Sequence, residues 1–146
     1  MAQRTAQTEW TGGLQDGQGT TTLASSGLGT YQVSFPARAA DAANGVTSPE
    51  ELLAAAHSAC YSMQLSAMLT NAGGTVENIS TDATVGFGPD PAGGFHITGI
   101  ELKVRATVPG LTAEQFMEVA EQAKIGCPVS KALTGVTITL DAALAS

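Results

Sequence analysis

Two cysteines are the residues of this 146-residue chain best suited to chemistry. Cys60 and Cys127 lie 67 positions apart, and neither belongs to a C-x-x-C pair. A thiolate is a nucleophile, and two thiols can close a disulfide after one of them is oxidised. A zinc site needs about four ligands, and only His57 and Cys60 have ligand-like spacing, so we expect no metal. Two passive, buried thiols are the alternative at this point.

The surroundings of the two cysteines differ. Cys127 precedes Pro128, which suits the first position of a helix, so its thiol would lie at an N-cap where free N–H groups favour a thiolate. A small residue at a turn is an equally good interpretation. Cys60 lies about eleven residues into a predicted helix, beyond the reach of the helix dipole. Such a thiol is ordinarily inert, with a raised pKa, unless a cation is brought to it.

Arg38 is the best-placed candidate for that cation. It follows the third predicted strand and closely precedes the helix that carries Cys60. Arginine stays charged when partly buried, and its planar fork can hold a carboxylate while contacting another acceptor. Glu50 is the expected carboxylate, although an acid in the first turn of a helix also complements the helix dipole, as Glu51 does.

Helix geometry limits how these residues can meet. Glu50 and Cys60 are ten residues apart on one predicted helix, about 15 Å along the axis and about 80° around it, so they cannot touch. Either Arg38 spans part of this gap, or the residues near one thiol come from two subunits. We favour the second arrangement, which requires a dimer. His57, one turn before Cys60, has the chemistry of a base, but we favour a packing or hydrogen-bonding role.

The elements that carry the first of these residues begin with a β-rich segment. Thr5–Gly12, Gly19–Ser25 and Thr30–Phe35 are short alternating or Thr-rich runs separated by glycine-containing turns, and they predict an antiparallel meander. After a loop at 39–47, Ser48 is placed as N-cap with Pro49 at the first helical position. The helix runs to about residue 72 and is apolar around most of its circumference, which predicts burial on most sides.

The second part of the chain predicts two strands, two helices and a last strand. The long β-patterned runs are Thr75–Phe87 and Phe95–Val108. A capping box at Thr112 opens a helix to about residue 124, a short helical turn follows over 128–133, and the last strand is Val136–Ala142. The order βββ-α-ββ-α-α-β predicts one α+β domain over residues 1–146, with antiparallel sheets and a long buried central helix.

Composition narrows the classes of partner and the cellular location. Thirteen acidic against six basic residues give a net charge of −7. Nucleic acids and anionic membranes need clustered Lys and Arg, so neither partner is expected. No apolar run reaches the roughly 18 residues of a membrane span, and the N-terminus has no secretory pattern. We therefore expect a cytoplasmic protein, in which a permanent disulfide is not expected.

Two segments resemble motifs of the OsmC/Ohr family, the bacterial osmotically inducible and organic hydroperoxide resistance proteins. SPEELLAAAHSACYSM, residues 48–63, is similar to the first-cysteine helix of that family, and GCPVSKAL, residues 126–133, is similar to its second-cysteine motif. Val129 and the position of Arg38 resemble the OsmC branch. The Ohr branch typically carries an arginine nearer the N-terminus, and the segment 12–17 has none.

The resemblance implies an OsmC-like fold, an intertwined homodimer and a division of roles among four residues. Cys60 would be the peroxidatic thiol and Cys127 the resolving thiol, with Arg38 as thiolate partner and Glu50 orienting Arg38. The N-cap argument favours Cys127 as the reactive thiol, but on this order we follow the family.

The implied activity is thiol-dependent reduction of organic hydroperoxides to alcohols in oxidative and osmotic stress defence. It would pass through a Cys60 sulfenic acid and a Cys60–Cys127 disulfide. An external dithiol, in this family plausibly a lipoyl-bearing protein, would reduce the disulfide, and no cofactor is expected. The rival hypotheses are a non-enzymatic dimeric stress or ligand-binding module with passive thiols, and a metal-binding protein using both cysteines and His57.

Overall fold

The computed structural model describes residues 1–145, and in it the chain divides into two compact units. The first unit is Met1–Leu52, and the rest of the chain forms the second. The predicted α+β class is confirmed, because each unit combines a three-stranded sheet with helical segments.

The sheet of the first unit is the predicted antiparallel meander. Its strands are β1 (Gln7–Thr11), β2 (Gln18–Thr22) and β3 (Thr30–Val33), in the order β1-β2-β3. Gly12 permits the first turn, because its φ of +94° is a conformation that other residues adopt only with strain. The sheet is thus built from short local connections, as the glycine-containing turns predict.

A short helix that the sequence patterns did not predict follows the third strand. This helix, α1 (Phe35–Ala39), begins after Ser34, whose hydroxyl accepts a hydrogen bond from the Ala37 N–H at 3.3 Å. Phe35 was assigned to the preceding strand, although Ser34 followed by Pro36 is an ordinary helix-start signal. Arg38, one of the predicted site residues, lies in the last turn of this helix.

The long predicted helix is present as α2 (Pro49–Asn71). Ser48 caps it by accepting the Glu51 N–H at 3.2 Å, as the sequence predicts. Its fully buried residues recur at every fourth position, which places them on one face, and they are His57, Tyr61, Leu65 and Leu69. Met63, on another face, is 73% exposed. Within a single chain the burial of α2 is therefore confined to one face rather than to most of its circumference.

The sheet of the second unit is mixed, which corrects the prediction of antiparallel sheets. Strands β4 (Asn78–Pro89) and β5 (Phe95–Thr107) are antiparallel, whereas β5 and β6 (Ile138–Leu144) are parallel. The chain between β5 and β6 forms α3 (Ala113–Gly126) and α4 (Pro128–Ala132). The two helices carry the chain from the end of β5 back to the edge of the sheet where β5 begins. The next strand, β6, therefore runs parallel to β5.

The core of the second unit lies between its helices and the central strand β5. Ile100, Leu102, Val104 and Ala106 alternate along β5 and are buried. Phe116 of α3 and Tyr61 of α2 are both fully buried in the same cluster. The second capping box is also confirmed, because Thr112 and Gln115 exchange hydrogen bonds at the start of α3.

None of the helices within residues 1–145 is long and apolar enough to cross a bilayer.

Candidate active site

The fold brings the two cysteines together. Cys60, in the middle of α2, and Cys127, at the junction of α3 and α4, have their Sγ atoms 3.3 Å apart. Both thiols are free; Cys127 is fully buried and Cys60 is partly exposed. A disulfide has an S–S length of about 2.05 Å, so closing the bond requires an approach of about 1.3 Å. The pair can therefore form a disulfide with a small local movement.

Cys127 is held where its sulfur meets several hydrogen-bond donors. It ends α3, donating its own N–H to the Ala123 carbonyl at 2.8 Å, and it is also the N-cap of α4. Burial raises the pKa of the thiol, but hydrogen bonds from the Ser130 backbone, Cys60, the Ser130 hydroxyl and the Val129 backbone outweigh it and lower the pKa. The N-cap position predicted for Cys127 is confirmed, and the direction of its pKa agrees with the N-cap argument.

Cys60 has the opposite electrostatic environment. Burial raises the pKa of its thiol, the Val129 backbone N–H opposes this in part, and the neighbouring Cys127 raises it further. This agrees with the expectation for a thiol in the middle of an apolar helix. The two sulfurs thus differ in two respects: the pKa is lowered at Cys127 and raised at Cys60, and only Cys60 of the two is partly exposed.

Arg38 and Glu50 form the ion pair that the sequence predicts. The Arg38 Nε donates to both carboxylate oxygens of Glu50, at 3.0 and 3.2 Å. The Arg38 Nη2 donates to Glu50 Oε1 at 2.7 Å. The Glu50 side chain is 9% exposed and that of Arg38 is 31% exposed. A bidentate pair of this kind fixes the guanidinium plane. This pair belongs to the first unit, whereas both cysteines belong to the second.

His57 is fully buried and hydrogen bonded, as the packing or hydrogen-bonding interpretation predicts. Its Nε2 is 2.7 Å from the Ser130 Oγ, and burial lowers the pKa of the imidazole. Within residues 1–145 it makes no hydrogen bond to Cys60, and its Nδ1 has no partner. The sequence analysis did not single out Ser130. Its available signal was its place three residues after a predicted N-cap, where a backbone N–H reaches the capping side chain.

One hypothesis from the sequence is a metal site formed by both cysteines and His57. No group of three or more His, Cys, Asp or Glu residues within it is arranged to hold a metal ion. Of the three residues in the metal-binding hypothesis, His57 is hydrogen bonded to the Ser130 Oγ.

Fold and site together define an α+β protein with a closely spaced pair of free thiols, and comparisons with known proteins agree with this class. The family described as OsmC-like protein matches residues 42–141. The chain is 44% identical over 140 residues to Peroxiredoxin OsmC of Escherichia coli (strain K12), covering 96% of this chain and 95% of that protein.

Solved structures of organic hydroperoxide resistance proteins are also similar. The protein from Elizabethkingia anophelis has a TM-score of 0.73 at 28% identity, with 99% of each chain covered. OhrB of Bacillus subtilis has a TM-score of 0.70 at 27% identity, covering 97% of this chain and 98% of that one. The chain belongs to the OsmC family, and its predicted OsmC-like fold is confirmed.

Proposed function

We propose that this protein is a thiol-dependent peroxidase that reduces organic hydroperoxides to alcohols in oxidative and osmotic stress defence. The observation that carries the proposal is the 3.3 Å separation of the Cys60 and Cys127 sulfurs, with only Cys60 partly exposed. The names of the relatives, a peroxiredoxin and organic hydroperoxide resistance proteins, point to the same activity.

In the proposed reaction Cys60 is the peroxidatic thiol. Its thiolate attacks one peroxide oxygen, the O–O bond breaks, and the alkoxide leaves as an alcohol after taking a proton. The sulfur, oxidised by two electrons, becomes a sulfenic acid. The Cys127 thiolate then attacks this sulfur, the S–O bond breaks, and the oxygen leaves as water when the disulfide forms. An external dithiol restores both thiols by exchange.

Arg38 is proposed as the cation that makes Cys60 reactive. Burial raises the pKa of the Cys60 thiol, so a thiolate at neutral pH requires a positive charge beside it. Glu50 would serve as the residue that orients Arg38, and the three hydrogen bonds between them suit this role. A nearby guanidinium would also stabilise charge on the leaving oxygen.

The protein is further proposed to be a single OsmC-like domain that forms an intertwined homodimer. The match to the family runs over residues 42–141 and so crosses the boundary at Leu52 between the two units, as expected of one domain. The homodimer is proposed from the resemblance of residues 48–63 and 126–133 to the two cysteine motifs of the family.

The reductant and the compartment complete the proposal. The disulfide needs an external dithiol, for which we propose a lipoyl-bearing protein. We propose a cytoplasmic location, where cellular reductants keep thiols reduced.

Anaerobic titration of the reduced protein tests the activity and separates it from the hypothesis of passive thiols. Cumene hydroperoxide and hydrogen peroxide are added stepwise, and the remaining free thiols are counted. We expect both thiols of each chain to be lost at close to one equivalent of cumene hydroperoxide, and faster than with hydrogen peroxide. Loss no faster than that of free cysteine would refute the activity.

A further inference from the structure

A buried hydrogen bond between His57 and Ser130 lies close to Cys127, and the proposed reaction does not use it. His57 on α2 is fully buried, and its Nε2 lies 2.7 Å from the hydroxyl of Ser130 on α4, which is 5% exposed. Ser130 lies one turn of α4 after Cys127, the N-cap of that helix, and its hydroxyl is among the groups that lower the pKa of the Cys127 thiol. The Cys127 sulfur is 3.3 Å from that of Cys60. These residues connect the His57 imidazole to the two cysteines.

The direction of each hydrogen bond follows from the number of protons available. A serine hydroxyl has a single hydrogen. When that hydrogen is donated to the Cys127 thiolate, the Ser130 oxygen can only accept, so the His57 Nε2 must carry a proton and donate it. A neutral imidazole then has a bare lone pair at Nδ1. This assignment agrees with the structure, since His57 Nδ1 is without a partner in residues 1–145 and burial disfavours the doubly protonated ring.

We propose that His57 and Ser130 are positioning residues for Cys127, which hold its thiolate in place for attack on the sulfenic acid of Cys60. Cys127 is fully buried, so the donors around it replace the water that would otherwise solvate the charge. His57 fixes the rotamer of Ser130 and directs its single hydrogen at the sulfur. The role of His57 and Ser130 in disulfide formation rests on the proposed function. Their effect on the pKa of Cys127 does not.

The step that this pair controls is the second half of the proposed reaction. The Cys127 sulfur supplies an electron pair to the sulfur of Cys60–SOH, the S–S bond forms, and the S–O bond breaks. The departing hydroxide takes a proton to become water. The rate of this step depends on how much of Cys127 is thiolate and on where the sulfur points.

The first experiment measures the thiolate directly and needs no peroxide. In a Cys60→Ser background, the ultraviolet absorbance of the Cys127 thiolate is followed as a function of pH. Ser130→Ala should reduce the thiolate fraction at neutral pH about tenfold, because one hydrogen bond to a charged group is lost. His57→Leu should reduce it in the same direction. Ser130→Thr keeps the hydroxyl, and His57→Gln keeps a donor near the Nε2 position. Each of these variants should therefore have the same thiolate fraction at neutral pH as the Cys60→Ser parent.

A matched control is available on α2. The hydroxyl of Ser62 is hydrogen bonded to Thr81 Oγ1 at 2.8 Å, so Ser62→Ala also removes a partly buried serine hydroxyl. This variant should leave the titration of Cys127 unchanged. A titration that is the same in Ser130→Ala, His57→Leu and Ser62→Ala would overturn the inference.

The second experiment follows resolution in the two-cysteine protein. After one equivalent of cumene hydroperoxide, the lifetime of the Cys60 sulfenic acid is measured by trapping with dimedone. Ser130→Ala and His57→Leu should prolong it, and at excess peroxide they should increase overoxidation to sulfinic acid. Slower peroxide consumption with an unchanged sulfenic acid lifetime would contradict the role in resolution.

The two experiments fail independently. If the starting protein does not react with peroxide, the proposed function is wrong, but the titration of Cys127 still decides the effect on the thiolate. If peroxide reacts normally and the variants titrate like the control, only the inference about His57 and Ser130 is wrong. Should the Ala or Leu variant fail to fold, a titration of Ser130→Thr or His57→Gln unlike that of the Cys60→Ser parent would contradict the inference.

Discussion

Arg38 and Glu50 form an ion pair, and removing the arginine should destabilise the protein more than removing the charge of the glutamate. Arg38→Met keeps much of the apolar stem of the side chain but removes all three hydrogen bonds to Glu50. The carboxylate, 9% exposed, is then left without that counter-charge. Glu50→Gln keeps the shape of the side chain and one acceptor oxygen, so the guanidinium, 31% exposed, remains solvated in part.

The size of the effect follows from these exposures. Removing one partner of a fully buried ion pair costs about 3–5 kcal/mol. Because nearly a third of the Arg38 side chain is exposed, solvent screening reduces the expected cost of Arg38→Met to about 2 kcal/mol. Glu50→Gln should cost about 1 kcal/mol, since it loses a charge-assisted hydrogen bond but leaves no buried charge. The double variant should cost about 1 kcal/mol less than the sum of the two.

Urea unfolding at a fixed protein concentration measures these free energies. The control is the exposed pair of Arg105 and Asp141, whose side chains are 40% and 57% exposed, and Arg105→Met should cost no more than about 1 kcal/mol. Additive costs for Arg38→Met and Glu50→Gln, or a cost for Arg38→Met no larger than for Arg105→Met, would refute the reasoning.

The same variants separate stability from activity. If Arg38 is the thiolate partner of Cys60, Arg38→Met should slow the reaction with cumene hydroperoxide about 100-fold, the usual cost of a lost charge-stabilising donor. Arg105→Met should react at the normal rate. Equal rates for the two variants, measured on folded protein, would remove Arg38 from the proposed mechanism.

Three further predictions concern the cysteines and the core. Cys127→Ser should accumulate a sulfenic acid on Cys60, detected by dimedone labelling and mass spectrometry, whereas Cys60→Ser should not react with peroxide; peroxidase activity in Cys60→Ser would reverse the assignment. In Cys60→Ser, the lowered pKa of Cys127 means that the folded state holds fewer protons than the unfolded state, so the free energy of unfolding should rise with pH from the folded pKa of this thiol up to about pH 8.5. Urea titrations at several pH values check this against the Cys60→Ser/Cys127→Ser variant, which should show no such rise. Tyr61→Phe removes the hydrogen bond that the hydroxyl donates to the Ala120 carbonyl at 3.0 Å and should lower the free energy of unfolding by about 1 kcal/mol; no loss in urea unfolding would contradict the value of that bond.

Signals confined to neighbouring residues predicted most of the elements. Ser48 caps α2, and Thr112 with Gln115 opens α3, because capping requires only groups within one helical turn. The helix α1 was missed because five residues carry too little periodicity to compete with the strand pattern that precedes them. The direction of β6 was also wrong, because it depends on how a crossover of two helices returns to the sheet.

The candidate site divides in the same way. The cysteine motifs, through their resemblance to a known family, pointed to Cys60 and Cys127, and Glu50 followed as an acid in the first turn of the helix that carries Cys60. Ser130 was not found, since its link to His57 joins residues 73 positions apart. Neither residue type signals such a contact on its own.

The sequence by itself determined the order of the elements other than α1, the start of each long helix and the identity of the two thiols. These properties depend on the residue types and on interactions within a few positions. Only the tertiary structure decided that the sulfurs lie 3.3 Å apart, that the pKa is raised at Cys60 while it is lowered at Cys127, and that a buried His57–Ser130 pair lies close to Cys127. The physical reason is that desolvation and hydrogen bonding depend on which distant segments pack together, and local sequence patterns do not encode that packing.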